Sequence, residues 1–189
     1  VPAELKLETA LKIHGLMPPH EVHALAELAS KYKRIFEIGA HLGRSTRAMA
    51  DNTEGTVVTA DDFNGPRDAV IPWKDRHEMY DKFLANMGEY IATKKVIAWK
   101  VDHKTMSKGG LAEFLGEEPQ FDMVFLDGSH AYEDVRRDLA FGMSILTPGG
   151  LLCGHDYTMN SPGVLCALGE IWQQAMDVLP GTTIWVKQL

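Results

Sequence analysis

Cysteine is nearly missing from this chain: of 189 residues only Cys153 and Cys166 carry a thiol, both in or beside apolar runs. Two cysteines without paired spacing exclude a stapled secreted scaffold and a cysteine-based metal knot, leaving buried thiols in a reducing compartment. No basic block is present either. Lys and Arg number 19 against 26 Asp and Glu, a formal net charge of −7, so a non-specific grip on nucleic-acid phosphates is not expected, although a locally basic pocket is still compatible. No apolar stretch reaches membrane-spanning length, and no charged–apolar–small signal pattern opens the chain. The expectation is a soluble, cytoplasmic protein with no membrane partner, its start at Val1 fitting a processed or trimmed end. Repeats, low-complexity tracts and linkers are absent. With 45% hydrophobic and 24% charged residues, residues 1–189 suit one domain with a substantial core.

What the chain does have is alternation. A helical lead-in over 1–33 offers Leu5, Leu7, Leu11 and Ile13, then a helix opened by Pro18-Pro19 with Val22, Leu25, Ala26 and Ala29 on one face. Short apolar runs follow at 34–38, 55–61, 95–101, 121–126 and 151–154, each succeeded by a helical pattern, and a last strand is read over 182–188. The run 121–126 is apolar on both faces, as a central parallel strand should be. Such alternation predicts an α/β fold: a doubly wound, mostly parallel, Rossmann-like sheet with helices on both faces. Residues 63–92 exceed a plain crossover. The loop carrying Arg67, Asp68, Trp73 and Lys74 is a lid candidate, with a decorated connection as the plainer alternative, and 74–92 reads as one helix.

The stretch Arg34 to Ala50 organises the rest. A buried strand breaks at Gly39 and Gly43 and restarts as a helix at Ser45 and Thr46, which aims bare N–H groups at one spot. Ser45 or Thr46 can cap that helix or bond a ligand. A dinucleotide fingerprint needs a glycine two positions after Gly39. His41 stands there instead, which disfavours a pyrophosphate and with it a nicotinamide oxidoreductase. In open α/β sheets ligands bind outside the carboxyl ends of the strands, and every unusual polar cluster falls at such an end: Glu37 to Thr46, Asp61-Asp62, Asp102-His103, Asp127 to His130, and His155-Asp156. Asp61 suits a ribose diol, and Asp102 at the third strand's exit suits an adenine amino group, with His103 against the ring.

Glu37-x-Gly39-x-x-x-Gly43 resembles the first motif of class I S-adenosylmethionine-dependent methyltransferases. Phe121-Asp-Met-Val-Phe-Leu-Asp-Gly-Ser-His-Ala-Tyr-Glu-Asp-Val-Arg-Arg-Asp-Leu139, followed by Leu146-Thr-Pro-Gly-Gly150 and His155-Asp156-Tyr157, resembles the branch of that family related to small-molecule and sugar O-methyltransferases. The resemblance implies that Glu37, Gly39, Gly43 and Ser45 hold the methionine part of S-adenosylmethionine, Asp61 the ribose and Asp102 the adenine. His41, Thr46, Asp62, His103 and Asp127 are counted on the same rim. One departure stands out: the family's sheet ends in an antiparallel pair, and only one strand is readable after the last helix.

The expected reaction is O-methylation of a small hydroxylated acceptor, a sugar or natural product. An alcohol is a poor nucleophile at neutral pH, so a base or a divalent metal must activate it. His130 is the first candidate for general base and His155 the second. Asp127, His155 and Asp156 are the candidate ligands for Mg²⁺ or another divalent ion. The alternative for these groups is structural, the carboxylates bonding loop amides and His155 sitting as a satisfied inner histidine. The alternative for the whole chain is a non-catalytic S-adenosylmethionine-binding module or partner-dependent subunit; a homo-oligomer is compatible with either.

Overall fold

Alternating side chains in the strands divide the molecule into two apolar layers, one on each face of a sheet. The computed structural model describes residues 4–65, 78–173 and 175–189. Strand β1 (Arg34–Ile38) is buried at every position after Arg34, with Ile35 in one layer and Phe36 in the other. The same two-residue period sends Val57 and Val58 of β2 (Thr56–Asp61), and Met123 and Val124 of β4 (Phe121–Leu126), to opposite layers. With β3 (Val96–Lys100), β5 (Leu146–Gly154), β6 (Asp177–Val178) and β7 (Trp185–Gln188) the sheet order is β3-β2-β1-β4-β5-β7-β6.

Strands β1 to β5 pair in parallel, and β7 runs antiparallel to both β5 and β6. One layer packs under α1 (Glu8–Lys12), α2 (Pro19–Ala29), α3 (Arg44–Asn52), α4 (Met79–Met87) and α5 (Glu89–Ala92). The other packs under α6 (Lys108–Leu115), α7 (Tyr132–Ile145) and α8 (Pro162–Trp172). Helices on both faces of a largely parallel sheet are the architecture expected from the sequence. No helix among the described residues is long and apolar enough to cross a membrane.

Four local expectations are corrected. The antiparallel pair closing the sheet is present, but β6 is two exposed residues long, too short to leave a period. The helix read as continuous over 74–92 breaks at Gly88, whose φ of 43° no ordinary helix holds, and its described part begins with α4. Thr147-Pro-Gly-Gly150 is not a turn ahead of a strand; it lies inside β5 as an irregularity where the pairing with β4 shifts register, as a proline without N–H and a positive-φ Gly149 require. Neither Ser45 nor Thr46 caps α3: the cap position is Gly43, in left-handed conformation. Residues 66–77, which hold Arg67, Asp68, Trp73 and Lys74 of the expected lid, lie outside the described residues.

The strand order places β1 beside β4, the point where the winding reverses direction. Crossovers leave that point toward opposite faces, which opens a crevice at the carboxyl edge. Gly39 makes the crevice tight. Its φ is 97°, and a Cβ there would stand 2.1 Å from the carbonyl oxygen of Asp127, so only glycine lets the β1 exit press against the β4 exit.

Candidate active site

A cavity of about 250 Å³ opens at this edge, and every parallel strand sends residues to its wall. Gly39 and His41 come from the β1 exit, Asp61 and Asp62 from β2, His103 from beyond β3, Asp127 to His130 from β4, and His155 with Asp156 from β5. The convergence expected from the sequence is therefore a feature of the fold.

One half of the cavity is built from backbone and carboxylate. Asp61 accepts from the N–H of His41 at 2.8 Å through Oδ2 and from that of Phe63 at 2.6 Å through Oδ1. Burial raises its pKa while these N–H groups oppose the rise. His41 sits at φ 49°, and burial, with His14 nearby, pulls its imidazole down to about 4, so the ring is neutral at physiological pH. Asp62 reaches the wall and accepts from Asn64 N–H at 2.9 Å. Gly15, Leu16 and Met17 also line the cavity, in a loop between α1 and α2 that the sequence did not flag. Arg44 ties it down, donating from Nε to the Ile13 carbonyl at 2.7 Å and from Nη1 to that of Met17 at 2.8 Å.

Four expected contact residues stay off the wall. Glu37 is fully buried beneath α3, accepting from Ser45 Oγ and Thr46 Oγ1, each at 2.5 Å. Burial pushes its carboxyl up to about 7, against the pull of these hydroxyls. Thr46 is buried with it, whereas Ser45 does reach the cavity. A Cβ on Gly43 would meet the Met87 methyl at 2.6 Å, so this glycine seats α3 against α4. Asp102 spends its carboxylate capping the short 3₁₀ turn His103–Thr105, accepting from Lys104 N–H at 3.0 Å. These residues shape the loops around the cavity rather than line it.

The other half is ionic. Asp127 Oδ1 stands 3.5 Å and Asp156 Oδ2 3.0 Å from Nδ1 of His155, while Glu21 Oε2 stands 2.6 Å from its Nε2. Carboxylates only accept hydrogen bonds, so both ring nitrogens donate and the ring is an imidazolium. Burial alone would lower its pKa, but the charges and hydrogen bonds of Asp127 and Asp156 push it up to about 12. Both His155 nitrogens therefore face carboxylates, so the base and metal-ligand roles expected for it would each require one of these contacts to break. Burial raises the pKa of Asp127, with His155 opposing, whereas the hydrogen bonds from His130 and His155 overcome burial and hold Asp156 well below the usual carboxylate range.

His130 takes the place expected for His155. Its Nε2 lies 2.9 Å from Asp156 Oδ2, and Asp127, His130 and Asp156 offer ligand atoms within 4.8 Å of one another. The candidate ion-holding group is therefore Asp127–His130–Asp156. Behind the β4 exit, Ser129 Oγ donates to Asp134 at 2.9 Å, and His103 Nε2 lies 3.6 Å from the same carboxylate. Glu21 was missed altogether. In the sequence it is one more acidic residue in a helix's first turn, the commonest place for one.

A reversal-point crevice with an acidic rim defines a doubly wound α/β protein that takes a nucleoside-type ligand. Residues 36–157 match a family model described as a methyltransferase domain; the chain belongs to that family and has its class I, S-adenosylmethionine-dependent architecture. The Sinorhizobium fredii protein y4gI, itself uncharacterized, is 25% identical over 93% of this chain, which spans 19% of its length. Among solved structures, a Bacillus cereus O-methyltransferase in complex with S-adenosylhomocysteine (SAH) superposes with TM-score 0.67 and 16% identity over 100% of this chain and 93% of that one. CalS11, a TDP-rhamnose 3′-O-methyltransferase of calicheamicin biosynthesis, gives 0.64 and 17% over 91% and 81%. The SAH-bound Podospora anserina methyltransferase MTH1 gives 0.63 and 16% over 90% and 78%. At these identities the likeness is one of fold.

Proposed function

We propose that this chain transfers the methyl group of S-adenosylmethionine to a hydroxyl oxygen of a small acceptor, such as a sugar or another hydroxylated natural product. The observation that carries the reading is the division of the cavity: neutral backbone and Asp61 on one side, and Asp127, His130 and Asp156 on the other. The nucleoside end of the donor fits the first side, where Asp61 would take the ribose hydroxyls. Gly39, which holds the β1 exit against the Asp127 backbone and lies on the cavity wall, would border the methionine end. The fold neighbours that methylate sugars or hold SAH support the same assignment.

The acceptor hydroxyl is assigned to the side of the cavity where His130 stands, its Nε2 2.9 Å from Asp156 Oδ2, and the imidazole of His130 is the group assigned to take the hydroxyl's proton. As the O–CH₃ bond forms, the carbon–sulfur bond breaks, and its electron pair stays on sulfur to give SAH. The proton goes to His130. The donor brings its own leaving group, so alignment and proton removal are the protein's share. Alternatively, Asp127 and Asp156 with His130 as third ligand would hold a hard divalent cation, Mg²⁺ or Mn²⁺, which would supply Lewis acidity and lower the pKa of the acceptor hydroxyl; His130 would then ligate in place of acting as base, and the proton would leave to solvent.

The test is methyl transfer from radiolabelled S-adenosylmethionine to a panel of sugars and phenols, before and after EDTA and with Mg²⁺ or Mn²⁺ restored. Transfer that falls at least about tenfold in His130→Ala supports the reading. Tight SAH binding with no transfer to any acceptor, metal present or absent, supports the non-catalytic module instead.

A further inference from the structure

The reaction proposed above needs Asp127 and Asp156 close together and facing the cavity, and the following inference rests on it. Two neighbouring carboxylates repel. Here His155 separates them, its Nδ1 turned toward both at 3.5 and 3.0 Å. The imidazole has one remaining nitrogen, and Glu21 Oε2 holds it at 2.6 Å. The other Glu21 oxygen accepts from the N–H of Thr183 at 2.5 Å, and the residue is 3% exposed. Glu21 is buried, and His155, Asp127, Asp156 and Thr183 are half-buried around it.

We propose that Glu21 is a positioning residue for methyl transfer: it fixes the His155 ring in the one orientation that presents Asp127 and Asp156 to the cavity. A staple between α2 and the segment ahead of β7 would explain the Thr183 contact alone. It would not explain why the second oxygen is given to the histidine that contacts two of the three groups at the proposed reacting position. Glu21 and Thr183 both lie outside residues 36–157 matched by the family model, so this support comes from the chain's flanks. The loop Gly15–Met17, just ahead of α2, is itself part of the cavity wall, so α2 contributes to the site from two directions.

Glu21→Gln tests the idea, because an amide has one acceptor oxygen and cannot serve both His155 and Thr183. Partners that orient reacting or ligating groups typically carry about tenfold to a hundredfold in activity or metal affinity. The expected result for Glu21→Gln is a kcat lowered by that factor, with KM for S-adenosylmethionine and the SAH dissociation constant within about threefold of wild type. Mn²⁺ affinity, read by electron paramagnetic resonance with SAH bound, should fall in parallel, and Glu21→Asp, which keeps the charge, should recover part of both. A Glu21→Gln protein with wild-type kcat and Mn²⁺ affinity but a lower melting temperature overturns the proposal, as does loss of cooperative melting in both variants. If the wild type methylates no acceptor, the parent reading fails separately, and equal Mn²⁺ behaviour of wild type and Glu21→Gln still overturns this one.

Discussion

Asp61 shows what a single side chain decides here. It ties down two backbone N–H groups of the loops flanking the cavity, and a charge-assisted bond of this kind is worth about 1.5–3 kcal/mol. Asp61→Ala should therefore weaken SAH binding by at least about tenfold in equilibrium dialysis; affinity within twofold of wild type would remove it from the cofactor role. Glu37 gives a pH prediction. Its folded value, raised by burial to about 7 from 4.5, means the native state holds this proton more tightly than the unfolded chain does. The contribution is full below the unfolded value, falls as pH rises toward 7, and is flat above it. Urea midpoints at pH 5 and pH 8 should differ less in Glu37→Gln than in wild type, with a remaining slope from Asp138, which burial likewise pushes up to about 7. At this scale the sequence was legible where a polar residue follows an apolar run, as with Asp61 and Asp127, which the structure places on the cavity wall. It was illegible for His155, whose role depends on Glu21, 134 positions away. No local pattern carries a pairing of that span.

At the scale of elements the site is a set of strand and helix ends held at fixed separations by missing side chains. A methyl group on Gly39 would meet the Asp127 carbonyl at 2.1 Å in a backbone conformation that already disfavours it. Gly39→Ala should lower stability by about 2–4 kcal/mol and abolish SAH binding. Gly163, in the first turn of α8, is a subtler case. A Cβ there would lie 2.2 Å from the carbonyl oxygen of His130, so the substitution moves the loop that carries the proposed base. Gly163→Ala should leave SAH affinity within about threefold and cut kcat by up to about a hundredfold, the penalty of an ångström's misplacement; unchanged kcat would mean that the loop accommodates it elsewhere. Strands announced themselves through continuous apolar runs because burial on both faces demands them. Elements whose existence depends on pairing did not: β6 has two exposed residues and forms only because β7 lies beside it. The shift between β4 and β5 is likewise a property of two strands together.

For the molecule as a whole, convergence of five strand ends on one rim follows from parallel winding alone, which is why the location of the site was readable before its chemistry. The make-up of the candidate ion-holding group required the third dimension, where His130, Asp127 and Asp156 bring ligand atoms within 4.8 Å of one another. Because a ligand that binds only the native state stabilises it, SAH at a hundred times its dissociation constant should add about 2.7 kcal/mol and raise the melting temperature by about 5–10 °C. The central claim is that the crevice between the β1 and β4 exits takes S-adenosylmethionine. Calorimetric titration of the wild-type chain with SAH, and separately with NADH, tests it most directly. One SAH site per chain and no NADH heat is the predicted result; no SAH heat, or saturable binding of NADH in its place, would contradict it.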